Sequence, residues 1–296
     1  MSKDKHRFPR DAFRVEPGKK VKLKDFDPAD TQGIKDKQHG KEALLDDISE
    51  LAEAQSLLWA NSTRSLLIIL QARDAAGKDG AIKHVMSGIN PQGVDVYSFK
   101  APDDEELKHH FLWRPMQKLP ARGRIAIFNR SYYEEVLVVR VHPSFLDRQV
   151  IPSRLAGKPL EKLWEARYDE INRFEQHLVD SDISVIKIFL NVSKEEQRER
   201  LLDRLNEPGK LWKFSAGDLA ERELWDEYDR AYEDMLNATS TEAAPWHVIP
   251  ADKKWFARAA IADLIVSKVR GLKLEPPQPT EEQLAGVEKY RQALGG

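Results

Sequence analysis

One stretch constrains the chain more than any other. The apolar run Ser65-Leu-Leu-Ile-Ile-Leu70 breaks directly into Gln71-Ala-Arg-Asp74-Ala-Ala-Gly77-Lys78-Asp79-Gly80. An unbroken apolar run of strand length suits a parallel strand covered on both faces. A helical stretch, Ala81 to Met86, follows the glycines, so the loop lies between a strand and a helix N-terminus. There the backbone of Ala75, Ala76, Gly77, Lys78, Asp79 and Gly80 can turn N–H groups toward phosphate oxygens, helped by the helix dipole. Gly77 and Gly80 allow close backbone approach, and Lys78 supplies a compact positive charge for a transferred group. The match to G-x-x-x-x-G-K-[ST] fails at both ends: Ala72 takes the first glycine position and Asp79 replaces the hydroxyl residue. Asp74 is therefore a candidate magnesium ligand, with a turn or capping aspartate as the alternative.

Four more strand-length runs follow, over 94–99, 124–128, 183–190 and 246–249. Helical patterns over 40–60, 104–118, 160–179, 193–205, 218–237 and 254–270 surround and separate the strands. The alternation predicts an α/β three-layer sandwich of P-loop kinase type around a mostly parallel five-stranded sheet. Polar residues 1–40 read as an N-terminal arm, and 41–274 as a single kinase domain with a lid at about 206–217. The cluster Glu275-Pro-Pro-Gln-Pro opens a C-terminal tail, 275–296.

A net charge of −2 argues against a whole-surface footprint for nucleic acid, so any polyanion must lie in a local cationic groove. The absence of cysteine removes disulfides, thiolate catalysis and Cys-ligated zinc together. No apolar stretch approaches the roughly 20 residues that span a bilayer. The opening Met-Ser-Lys-Asp-Lys-His-Arg lacks a signal peptide's apolar core, which makes the cytoplasm the expected compartment.

The third strand-length run ends in Asn129-Arg130-Ser131-Tyr132-Tyr133-Glu134-Glu135. Ligands in doubly wound sheets sit at the carboxyl ends of strands, so Asn129 and Arg130 are expected to face the loop. P-loop enzymes carry aspartate here for magnesium. Asn129 offers a carbonyl but no charge; Glu134 and Glu135 compensate, or they only favour the first turn of the next helix. Cations recur at Arg140, His142, Arg198, Arg200, Arg204, Lys210 and Lys213. Arg200 and Arg204 share a helix face that can point at the crevice. Alternatively, Arg198 and Arg200 pair with Glu195, Glu196 and Glu199 on a solvated face. A Pro-Gly turn carrying Lys210, Trp212 and Lys213 reads as a mobile lid. His109 and His110 give no metal spacing, and Trp113, Trp164 and Trp225 read as packing.

The residues alone reach phosphoryl transfer in a basic crevice. Three ordered motifs resemble the polyphosphate kinase 2 family: Ala-Arg-Asp74-Ala-Ala-Gly77-Lys78-Asp-Gly, Phe-Asn129-Arg130-Ser-Tyr-Tyr-Glu134-Glu, and Ser193-Lys-Glu-Glu-Gln197 through Trp212-Lys213-Phe. Many members carry aspartate where this chain has Asn129; the Asn form followed by Tyr-Glu resembles class III, which phosphorylates AMP and ADP. The resemblance implies a thymidylate-kinase-like fold, a Mg2+ cofactor and homodimers or homotetramers. It implies Asp74, Lys78 and Arg130 as catalytic residues, with the metal on Asp74. Lys78, Arg130, Arg140, Arg204, Lys210 and Lys213 would hold inorganic polyphosphate, while Asn129, Glu134 and Glu135 would face an adenine nucleotide, with guanine left open. Nucleic acid and membrane are not expected partners. Two alternatives remain: an ATP-dependent nucleoside monophosphate kinase, and a non-catalytic nucleotide-binding regulator.

Overall fold

The computed structural model describes residues 8–295. Residues 1–7, where the expected arm begins and no signal peptide is expected, lie outside that range. The strands are β1 (Ser65–Ala72), β2 (Val94–Ser98), β3 (Ile125–Asn129), β4 (Ile183–Asn191) and β5 (Trp246–Pro250). They form one five-stranded sheet in the order β2-β3-β1-β4-β5, and every neighbouring pair is parallel. β1 is central and buried along its whole length, as its unbroken apolar run requires.

Successive β1 side chains enter opposite layers. Leu66, Ile68 and Leu70 belong to one core and Leu67 and Ile69 to the other. The helices in chain order are α1 (Arg10–Phe13), α2 (Lys37–Asn61), α3 (Lys78–Val85), α4 (Trp113–Met116), α5 (Val138–Val141) and α6 (Leu160–Asp180). They continue with α7 (Lys194–Asn206), α8 (Ala216–Glu223), α9 (Trp225–Thr239), α10 (Lys254–Gly271) and α11 (Glu281–Ala293). Residues of α2, α3 and α10 fill the first core, and those of α6 and α9 fill the second, giving the three layers. None of the described helices is long and apolar enough to cross a membrane.

The arm straps the β5 side of the sheet. Phe8 and Phe13 pack against Phe256, with ring centroids 5.7 and 5.9 Å apart, and the Val15 N–H donates to Trp246 O at 2.8 Å.

Two helical expectations change. The single helix expected over 104–118 is a 3₁₀ turn at Glu106–Lys108 followed by the short α4. Pro115 has no N–H to continue the ladder and crowds the preceding turn. The pattern over 218–237 is two helices that break at Leu224, which packs against the core while α8 buries none of its own residues. The tail contains a helix, α11, started by a capping box in which Thr280 and Gln283 exchange hydrogen bonds.

Candidate active site

The chain order reverses at β1: β3 lies on one side of it and β4 on the other. Parallel strands leave a crevice beyond their carboxyl ends at such a switch point. Leu70 pairs with Asn129 in register, which puts the loop after β1 beside the segment after β3. A cavity of about 610 Å3 opens there.

The loop adopts the shape that its composition suggests. Gly77 has φ +109°, a left-handed conformation that suits glycine, and α3 begins at the next residue. Ala75 (φ +60°) and Arg130 (φ +62°) hold left-handed conformations without being glycine. Each costs about 1–3 kcal/mol and persists only where the surroundings enforce it.

Arg200 is one such constraint on the loop. It is buried, and its guanidinium donates to Ala75 O (3.1 Å), Ala76 O (2.7 Å), Ala251 O (2.5 Å) and Asp252 O (3.0 Å), while Nε bonds Glu196 (2.7 Å). Its donors are thus largely used by the protein, so Arg200 braces the loop rather than standing free to meet phosphate. Gln197 adds a second brace, donating to Asp74 O at 3.0 Å while accepting from Arg222 of α8.

Lys78 is buried, and its ammonium bonds Ala72 O at 2.8 Å and Arg73 O at 3.3 Å. Burial pulls its pKa below the ordinary lysine value, against the opposing pull of Asp74. Arg130 donates to Asp74 at 2.5 Å. Burial works against its charge, but Glu134 and Asp74 outweigh that and hold the guanidinium firmly protonated. Burial raises the Glu134 carboxyl, against Arg130 and Lys78. Asn129 donates to Asp79 at 2.7 Å and to Ser98 at 3.4 Å.

The cavity is lined by Asp74, Ala75, Gly77, Lys78, Asp79, Gly80, Asn129, Arg130, Arg200, Arg204, Lys210 and Lys213 among the residues expected from sequence. Ala76 lies buried within the same loop. Arg204 is tied to Asp218 of α8 at 2.8 Å, and Lys210 to Glu207 at 2.6 Å. Arg198 pairs with Glu195 and Glu199 on the exposed face of α7, the solvated alternative.

Glu134 lines instead a smaller adjoining cavity, and Glu135 and Arg140 line neither. Glu135 turns into a separate depression, bonded to Gln149 at 2.9 Å and paired with buried Arg167 at 3.2 Å. Arg140 bonds Tyr168 of α6 at 2.7 Å and pairs with Asp234 of α9.

Sequence reasoning missed Lys100 and Lys254, which also line the cavity. Both follow strand ends, so the rule applied to β1 and β3 would have found them at β2 and β5. It also missed a smaller adjoining cavity of about 130 Å3, sharing Asp74 and Arg130 and walled by Glu134, Val138, Glu221, Trp225, Tyr228 and Tyr232. Trp225, read as packing, carries the Arg73 guanidinium 4.0 Å over its ring. No sequence pattern pointed to that wall.

The donor chemistry of the crevice suits magnesium. That ion takes one or two carboxylates, keeps water and shares substrate phosphates. Asp74 and Asp79 supply carboxylates in the lining, whereas the described residues hold no cluster of three or more His, Cys, Asp or Glu that would cage a metal alone.

A parallel sheet with a lysine-bearing loop at its switch point, opposed by cations on a helical flap, defines a P-loop phosphotransferase. The family model for polyphosphate kinase 2 (PPK2) matches residues 34–276. An ADP-polyphosphate phosphotransferase of Rhodopseudomonas palustris is 46% identical over 283 residues, covering 95% of this chain and 97% of that protein. An AMP/ADP-polyphosphate phosphotransferase of Meiothermus ruber is 44% identical over 271 residues, covering 90% and 95%. The crystal structure of polyphosphate kinase 2 from Arthrobacter aurescens TC1 superposes with a TM-score of 0.85 at 41% identity, covering 96% and 98%. The chain belongs to the polyphosphate kinase 2 family.

Proposed function

We propose that this chain transfers phosphoryl groups between inorganic polyphosphate and AMP or ADP, reversibly toward ATP. The observation that carries the reading is the junction of two unlike cavities at Asp74 and Arg130. The larger is rimmed by Lys100, Arg204, Lys210, Lys213 and Lys254, a run of cations suited to an extended polyanion. The smaller has aromatic walls and two carboxylates of its own, Glu134 and Glu221, suited to the base of a nucleotide. An acceptor in the small cavity and a donor in the large one present their phosphates to each other at the shared residues.

Phosphoryl transfer asks for alignment and charge neutralisation rather than covalent chemistry by the protein. Lys78 and Arg130 offset charge on the group in flight, and the loop N–H groups hold its neighbours. Mg2+ on Asp74, with Asp79 beside it, would neutralise phosphate oxygens when bound. Glu134 orients the acceptor in the small cavity, while Asn129 faces the larger one and holds Asp79. Closure of the lid brings Lys210 and Lys213 onto the polymer and excludes water. The proposal extends to a cytoplasmic homodimer or homotetramer that needs neither nucleic acid nor membrane, and it leaves guanine nucleotides as candidate acceptors.

The test offers AMP, ADP, GMP and GDP with polyphosphate as sole donor and Mg2+ present. ATP formed from AMP or ADP supports the reading. Transfer from ATP alone would identify a conventional nucleotide kinase, and binding without transfer would identify a regulator.

A further inference from the structure

The layer between the sheet and α6 and α9 is largely apolar, yet it contains a completely buried ion pair that lines neither cavity of the site. Lys187 of β4 and Glu175 of α6 are 0% and 1% exposed. All three ammonium donors are used: Glu175 Oε2 at 2.6 Å, Thr239 O at 2.5 Å and Tyr133 Oη at 3.0 Å. The other carboxylate oxygen of Glu175 accepts from Tyr132 Oη at 2.8 Å and Tyr133 Oη at 2.7 Å. The rings of Tyr133 and Trp246 enclose the ammonium.

Stability is a poor account of this arrangement. Replacing a buried ion pair with well-packed apolar residues of similar volume is often neutral or stabilising. What hydrogen bonds add is direction. The two hydroxyls held by Glu175 belong to consecutive residues, Tyr132 and Tyr133, which stand between Arg130 and Glu134. Holding neighbouring side chains in one layer requires a tightly bent backbone. The chain supplies it with a 3₁₀ turn at Tyr132–Val136, started by Ser131, whose hydroxyl accepts from Tyr133 N–H at 3.2 Å. Arg130, immediately upstream, is in the left-handed conformation that aims its guanidinium at Asp74.

We propose that the Lys187–Glu175 pair acts through Tyr132 and Tyr133 as a positioning device for Arg130 and Glu134. No member of the network touches a reactant; it fixes the turn that presents two residues which do. The inference rests on the phosphoryl-transfer reading of the crevice, which wild-type activity with polyphosphate tests separately.

The experiment is a mutant cycle read by kcat, KM and thermal unfolding. The volume-matched pair Lys187→Met with Glu175→Leu is made in the wild type and in Arg130→Lys, which keeps charge but loses the guanidinium fork. In the wild type, unfolding should shift down by roughly 5–10 degrees, because the Tyr132 hydroxyl and the Thr239 carbonyl lose their partners. Turnover should fall about 10- to 100-fold, the usual consequence of slight misplacement, with KM for polyphosphate within about twofold. In Arg130→Lys the same pair should cost several-fold less in kcat than it does in the wild type, because one of the two groups it positions is already gone. An equal loss in both backgrounds, or full activity in the wild-type background, would overturn the proposal. If the pair variant does not fold, Tyr132→Phe with Tyr133→Phe removes only the hydroxyls and is judged by the same two outcomes. Absence of transfer by the wild type would instead refute the assignment of the reaction.

Discussion

The phosphate loop and the lid face one crevice, but their charged groups are held in different ways. On the loop side, Lys78 is 8% exposed and bonded to backbone carbonyls, and Arg200 and Gln197 brace the loop from a neighbouring helix. On the lid side, Lys210 pairs with a glutamate three residues away, and Trp212 is 78% exposed with its indole N–H bonded to Gly209 O. Arg204, at the end of α7 just before the lid, reaches further, to Asp218 and Lys213 O. Fixed dipoles and charges stabilise a transition state because they need no reorganisation during reaction. Local, solvent-exposed contacts cost little to break, which suits an element that must open and close. The loop is thus built for the chemical step and the lid for capturing substrate.

The sharpest way to break this division is Lys78→Ala. The fold should survive, since the lysine serves only loop carbonyls, but kcat should fall by about 10²–10³-fold or more. Circular dichroism and steady-state kinetics check both halves. Near-normal turnover in a folded variant would remove the loop from the mechanism.

Arg200→Met tests whether the loop is braced rather than merely basic. It leaves the buried carbonyls of Ala76 and Ala251 and the part-buried one of Ala75 short of donors, so stability should drop by about 3 kcal/mol. Activity should fall with it by about 10-fold or more as the loop relaxes. Lys210→Met, on the lid, should leave unfolding unchanged. Equal unfolding curves for the two variants would erase the contrast between the walls.

Asp74→Asn separates metal from shape. It removes a carboxylate in the lining and the ion pair with Arg130, while the Gln197 bond to the Asp74 carbonyl can persist. The magnesium concentration for half-maximal rate should rise by about tenfold. Superimposable magnesium titrations would leave Asp74 as a turn residue.

How far the sequence revealed these walls depended on whether each determinant was local. The strand-loop-helix unit is written in consecutive residues, so β1, the glycines and Lys78 were legible together. Direction around the segment after β3 was not. Glu134 and Glu135 are adjacent, but a 3₁₀ turn advances about 120° per residue, so their side chains leave it in different directions. Glu134 walls the small cavity and Glu135 meets Arg167. Arg140 is claimed by Tyr168 and Asp234, partners distant in sequence. Arg200 was expected at the crevice as a cation, and only tertiary contacts to residues 75, 76, 251 and 252 reveal a brace.

The smallest expected effect lies on the lid, and it tests capture rather than chemistry. Lys213 lines the large cavity, and its ammonium lies 5.1 Å over the exposed Trp212 ring. An exposed charge acts through about one Debye length, roughly 8 Å at physiological ionic strength, so its contribution must weaken as salt rises. By analogy with counterion release from nucleic acids, each phosphate contact steepens the fall of affinity with salt. Polyphosphate spanning Arg204, Lys210 and Lys213 should therefore lose apparent affinity more steeply than ADP, which engages fewer cations. Lys213→Ala should lower the logarithmic salt slope for long polyphosphate by about one and leave the slope for ADP nearly unchanged. Because Lys213 is hydrogen-bonded to neither Asp74 nor Arg130, which pair with each other, kcat at saturating polymer should change by less than about threefold. The measurement is KM for each substrate across a salt series at fixed free magnesium, since magnesium itself screens the polymer. Equal slopes for polyphosphate and ADP would show that the lid cations do not track an extended chain, and a large loss of kcat would place Lys213 with the chemistry of the loop.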